Sequence, residues 1–303
     1  MPRLSAFRDN DELDNAIADK TIVYVEGPDD VSFFNNLAGP DVRDRLEFKT
    51  PEAGTGYHEV KKRVGELRPV NPKVHGLLDG EAAVALGLFN AFIDNSEVIF
   101  RGDEGLIDGL MFLAEYELEN LLLCHTGLAR FIANDVVVAE LGTRNQGEVQ
   151  RTIDTLTLRY VLFSVIKFTM IALHSEARPC KGIGKIGGQF ITKEVGCAHL
   201  MRNDVQSEIG PQVEWSEFLA AMHGVVHAIR AHHRGLGFDD AAKRRDALRI
   251  ADGKLLMKHV KKRYSGSGKW DGHLHGELAQ SDYSDRFRDA LLEATNTPRR
   301  VIR

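Results

Sequence analysis

A chain of 303 residues with 43% hydrophobic content carries enough apolar side chains for one large domain or two ordinary ones, which excludes global disorder. Three cysteines, Cys124, Cys180 and Cys197, are too few and too scattered for a disulfide framework and form no CxxC pair for zinc or redox work, as fits a reducing cytoplasm. The net charge of −5 hides a split: residues 1–120 hold 24 acidic against 12 basic side chains, a balance of −12, and residues 121–303 hold 20 against 27, or +7.

An acidic module joined to a basic one that grips a polyanion would show this asymmetry, and so would two complementary faces of an interdomain contact. The opening stretch, Met1 to Asn10, has no apolar signal core. No uninterrupted apolar run of about 18 residues is found, so a soluble cytoplasmic protein without a membrane span is expected.

The first element is an apolar run, Thr21 to Val25, that ends on Glu26-Gly27 and leads into a helix over Asp29–Leu37, with Val31, Phe33, Phe34 and Leu37 at helical spacing and Gly39-Pro40 closing it. Leu46–Thr50 is a second strand. Gly54 and Gly56 precede a helix over Tyr57–Leu67; they can expose amides to a phosphate or form a plain turn, which is the simpler reading. A strand over Val74–Asp79, a helix over Ala82–Ile93 and a strand over Glu97–Arg101 complete an alternating order typical of a parallel α/β sheet.

From Leu121 the pattern changes to long helical stretches, Thr152–Leu173 and Trp215–His233 among them. The expected organisation is an α/β domain over 1–123, a parallel sheet flanked by helices, followed by a mainly helical, basic region over 124–303 that completes the site and contacts substrate or partner. Lys181–Gly188 is glycine-rich but lacks the Walker register, so ATP hydrolysis by this chain is not expected.

Glu26 ends the first strand, and Asp79 and Glu81 end the third. In an open parallel sheet, side chains beyond the carboxyl ends of the strands converge on the usual binding crevice. Clustered acids repel, and an oxygen-rich set suits a hard cation such as magnesium, with manganese as a substitute. The alternative for Glu26 is a helix N-terminal cap.

Glu-Gly after a first strand and an acidic pair after a later one resemble the Toprim signature, Asp79-Gly80-Glu81 standing where that family has Asp-x-Asp. Tyr116-Glu-Leu-Glu119-Asn120 is similar to the Tyr-x-x-Glu-Asn element of Toprim proteins that work beside ABC-type ATPases in anti-phage defence. Asp252-Gly253-Lys254 resembles the Gly-Lys element of the related overcoming-lysogenization-defect nucleases. The resemblance implies a Toprim fold and a magnesium-dependent phosphodiester hydrolase. It implies Glu26 as ligand or general base, Asp79 as principal ligand, Glu81 and Glu119 as auxiliary ligands, and Lys254 as the phosphate-contacting residue. It further implies tRNA as target, restraint by an ABC-type ATPase partner, and a homodimer. A DNA-cutting nuclease and a non-catalytic subunit of an ATPase assembly are the alternatives.

Other residues invite smaller readings. Seven of the 12 histidines lie between His223 and His275, but no HExxH or cysteine pair accompanies His223 and His227, so zinc is not expected. His232 or His233 could contact RNA or act as general acid and base. Lys243–Arg245 and Lys258, Lys261 and Lys262 supply basic faces, and Trp270 is either a base-stacking surface or a buried anchor.

Overall fold

The computed structural model describes residues 20–102, 108–134, 145–173, 205–207, 213–264 and 269–296. The glycine-rich segment 181–188 lies outside them, as do Cys180 and Cys197. Two compact units divide the described residues, one drawn from 1–83, 95–114 and 272–303 and the other from 84–94 and 115–271. The division is interleaved, whereas composition alone suggests a single boundary near residue 123.

Unit one is a mixed α/β layer built on a five-stranded sheet of order β2-β1-β3-β5-β4. The strands are β1 (Thr21–Tyr24), β2 (Leu46–Lys49), β3 (Val74–Leu78), β4 (Ile99–Arg101) and β5 (Leu110–Leu113). β1 pairs in parallel with β2 and β3, and β3 with β5, while β4 runs antiparallel to β5 at the edge. The sheet is thus mostly parallel, as the alternating order predicts, and departs from that pattern at β4. The physical reason is length: a parallel return needs a crossover of about a dozen residues or more, and the chain between Arg101 and Leu110 is too short for one.

The helices of this unit are α1 (Pro28–Ala38), α2 (Pro40–Arg43) and α3 (Tyr57–Leu67), with α4 (Gly80–Ala85) starting in it and α13 (Asp282–Asn296) closing it. The helix expected over 82–93 is in fact α4 and α5 (Phe89–Asp94), parted where Gly87 takes φ +86°, a left-handed conformation that terminates a helix readily only at glycine. Phe34 of α1 stacks on Phe48 of β2 at 5.6 Å and on Phe287 of α13 at 5.7 Å, and Ser284 Oγ donates to Leu37 O at 2.8 Å. These contacts bring the C-terminal segment back to the sheet unit.

Two interior positions of β3 make checkable demands. A Cβ on Gly76 would stand 2.8 Å from side-chain atoms of both Leu110 and Val60, so α3 packs closely only because that position has no side chain. Gly76→Ala is expected to cost about 1–3 kcal/mol of overpacking in urea denaturation. His75 is 1% exposed and lies 3.4 Å from the Arg68 guanidinium, and burial first, then the charges of Arg68 and Arg101, lower its pKa to about 3. The native state thus holds a neutral ring, and between pH 6.5 and 3 the unfolded chain binds the extra proton. Stability is complete above pH 6.5 and declines as pH falls through that window. Going from pH 7 to pH 5 is expected to remove about 2 kcal/mol, a loss that His75→Gln no longer shows.

Unit two is helical. It comprises α5, α6 (Leu118–His125), α7 (Leu128–Asn134), α8 (Gln146–Leu173), α9 (Trp215–Gly235), α10 (Asp240–Ile250), α11 (Gly253–Arg263) and the first residues of α12 (Lys269–Ala279). α8 is its spine, packed by α7, α9, α10 and α11, and it buries Tyr160, Phe163, Ile166, Phe168 and Met170. By length and composition α8 could cross a membrane, with mean hydropathy 1.7, which the charges at Arg159 and Lys167 conceal from a search for uninterrupted apolar runs. Yet 56% of that window is buried among the unit's own helices, and Lys167 Nζ lies 2.6 Å from Asp252 Oδ2 of the turn opening α11.

Trp270 and the histidine pair find their surroundings here. Trp270 is 3% exposed and packs edge-on against Phe131, so it is an anchor, not a stacking surface. His232 and His233 face Asp246, His233 Nε2 at 2.6 Å, and Arg249 bonds the same carboxylate while donating to Phe92 O and Ile93 O. Burial pushes the Asp246 carboxyl up, but the His233 and Arg249 hydrogen bonds outweigh it, so the net direction is below the ordinary 3.8. The corresponding stability is present above pH 3.8 and is lost as pH falls below it. His233→Ala is expected to make unfolding begin at a higher pH in an acid titration followed by circular dichroism.

Candidate functional site

In unit one the chain brings two strand ends together. β1 and β3 are parallel neighbours with Tyr24 opposite Gly76, so Glu26 and Asp79 leave the same sheet edge. Gly27 is the N-cap of α1, with Asp30 Oδ2 accepting from Gly27 N at 2.9 Å, so the reciprocal cap at this helix comes from Asp30. Gly56, at φ +92°, donates its amide to Glu26 O at 2.8 Å, which ties the glycine turn to the strand end. That amide is thereby used, in keeping with a plain turn.

The tie sets Tyr57, the first residue of α3, next to the turn that meets the end of β1. Burial first, then the charges of Glu26 and Glu81, push the Tyr57 phenol above its ordinary value, so both acids act on one place. Asp79 is partly committed elsewhere: its Oδ1 accepts from Ala82 N at 3.2 Å and opens α4. A phenol that keeps its proton among acids is a hydrogen-bond donor.

Glu119 and Lys254 belong to unit two, where two motifs far apart in sequence interlock. Asn120 is fully buried; its Nδ2 donates to Leu248 O at 2.6 Å and to Ala251 O, 131 residues away, at 2.9 Å, while its Oδ1 accepts from Glu117 N at 2.8 Å. A Cβ on Gly253 would stand 2.4 Å from Asn120 Oδ1, so the Gly-Lys turn presses on the Glu-Asn turn only through glycine. Glu119 lies half-buried, its Oε2 shielded from solvent without a hydrogen-bond partner. Burial raises its carboxyl, and the nearby charges of Lys254 and Lys261 oppose that without cancelling it.

Sequence reading passed over three participants. Glu117, 2% exposed, accepts from Lys254 N; Lys167 pairs with Asp252; and Tyr57 joins the strand-end acids. The signal for Glu117 was its place inside an acidic run next to Asn120, which spacing alone does not separate from a solvated face.

Among the described residues no three His, Cys, Asp or Glu side chains stand close enough together to hold a metal ion. Magnesium commonly takes one or two protein carboxylates and keeps several waters, and Glu26 and Glu81, whose charges both act on the Tyr57 phenol, are donors of that hardness. Set against known proteins, the chain matches no family model and no curated relative.

Proposed function

We propose that this chain is a magnesium-dependent nuclease of Toprim type, with manganese an acceptable substitute, acting on RNA and most similar to AriB, the effector of the PARIS phage-defence system. The observation that carries the reading is the emergence of Glu26 and Asp79 at the carboxyl ends of adjacent parallel strands, with Glu81 acting on the same phenol as Glu26. The element order and the Glu-Asn and Gly-Lys motifs support the closer likeness. On that likeness tRNA is the target, an ABC-type ATPase restrains the enzyme in the cytoplasm, and a homodimer is the active form.

Glu26, Asp79 and Glu81 would hold the cation, which when bound supplies Lewis-acid polarisation of a phosphodiester and a more acidic water. Glu26 would accept a proton or ligate, Asp79 would ligate, and Glu81 would reach with an arm one methylene longer than the family's aspartate. On the resemblance Glu119 would be an auxiliary acid and Lys254 a phosphate contact; both belong to unit two.

The test compares wild-type protein and Glu26→Ala on tRNA, each with magnesium and with EDTA. Cleavage is expected only from wild type with magnesium, at least ~100-fold above the other arms, the scale on which loss of a principal charge-stabilising group acts. The same result in all four arms would remove the reading, and preferential loss of plasmid DNA in a mixture would redirect it to DNA. A second reading, a non-catalytic subunit of an ATPase assembly, draws on the engaged Asp79 oxygen and on the lack of a three-ligand group among the described residues. Retained binding to the ATPase without nuclease activity would favour it.

A further inference from the structure

We propose that Glu117 is a positioning residue that holds the Lys254 ammonium in place for a nucleic-acid phosphate; this rests on the reading of Lys254 as a phosphate contact. Glu117 stands at an unspecified position of the Tyr-x-x-Glu-Asn stretch, so the resemblance gives it no role, and the case for it is geometric. The first amides of a helix have no partner within the helix, and in α11 that of Lys254 donates to Glu117 Oε2 at 2.8 Å, across a gap of 137 residues in sequence. The other oxygen of the same carboxylate, Oε1, stands 3.8 Å from Lys254 Nζ. One buried group thus grips both ends of one lysine.

The two partners differ sharply in exposure. The Glu117 side chain is 2% exposed and that of Lys254 57%, so a cation at the surface is tethered to an acid beneath it. The acid is itself fixed: Glu117 N donates to Asn120 Oδ1, and Lys254 is flanked by Gly253, packed against Asn120. Asp252 locks the turn from the other side, accepting from Leu255 N at 3.0 Å and pairing with Lys167. A lysine ordinarily loses rotamer freedom when a ligand immobilises it, and a tether of this kind lowers that loss before the ligand arrives. Lys261, whose charge also reaches Glu119, adds a second cation on the same helix and is itself held by Asp271 at 2.5 Å.

The sign of the effect separates positioning from simple electrostatics. Removing an acid beside a polyanion site should by charge alone strengthen polyanion binding; removing a tether should weaken it. The probe is a 5′-fluorescein-labelled single-stranded oligouridine, its affinity for the full chain read by anisotropy in EDTA at fixed salt. Lys254→Ala is expected to weaken binding ~10-fold and lower the salt slope by about one. Glu117→Gln should weaken it several-fold, and the double variant should bind no worse than Lys254→Ala, because coupled residues are not additive. Glu117→Asp, which keeps the charge and shortens the reach, should also weaken binding and serves if the glutamine variant unfolds. Unchanged or tighter binding by Glu117→Gln, a full effect of it in the Lys254→Ala background, or no binding by wild type overturns the proposal. Because the measurement needs no cleavage, RNA binding without hydrolysis would sink the nuclease reading and leave this one standing.

Discussion

Lys167→Met is expected to destabilise unit two by about 3–5 kcal/mol, because it leaves the Asp252 carboxylate charged, 1% exposed and without its ammonium partner. The cost arises from the charge left behind more than from the lost attraction: methionine fills nearly the same volume in α8, and the pair itself gains little over its own desolvation. Converting the survivor as well should therefore restore most of the loss. Asp252→Asn keeps an oxygen for Leu255 N, so the cap on α11 persists while the buried charge disappears. In chemical denaturation the double variant is expected to recover at least half of what Lys167→Met loses. Additive losses would show that Asp252 and Lys167 are not coupled.

The second large effect falls on Asn120. Its side chain completes three buried hydrogen bonds, accepting from Glu117 N and donating to Leu248 O and Ala251 O. Asn120→Ala strands one amide and two carbonyls that water does not reach, at roughly 1–3 kcal/mol for each unmet group. A total loss of about 3 kcal/mol or more is expected, read as a lower urea midpoint. If the variant still folds, it should also loosen Lys254, since the Glu117 backbone is registered through Asn120. Its binding to labelled RNA is then expected to weaken together with its stability, whereas Gly76→Ala on β3 should lower stability without changing RNA affinity.

Much of unit one was legible beforehand because its signals are local. Strand β1, helix α3 and strand β3 follow apolar periodicity, and Glu26 and Asp79 lie where such strands end. The antiparallel edge strand β4 was not legible, since direction depends on the length of the link to β5, and β5 itself, Leu110–Leu113, is too short an apolar run to assign by periodicity. Trp270 and the histidine pair show the same limit: periodicity assigns them no environment, and only Phe131 and Asp246 supply one.

Short-range order alone dictated the alternating strands and helices, the placing of acids at strand termini, and the long apolar stretch that became α8, because backbone preference and side-chain period act over a few residues. What required the folded chain was every meeting between distant segments: the return of α13 to the sheet through Phe287, the grip of Glu117 on Lys254, and the burial of Lys167 against Asp252. Those encounters depend on shape and on the removal of water from paired charges, and neither quantity is written in the order of residues near any one of them.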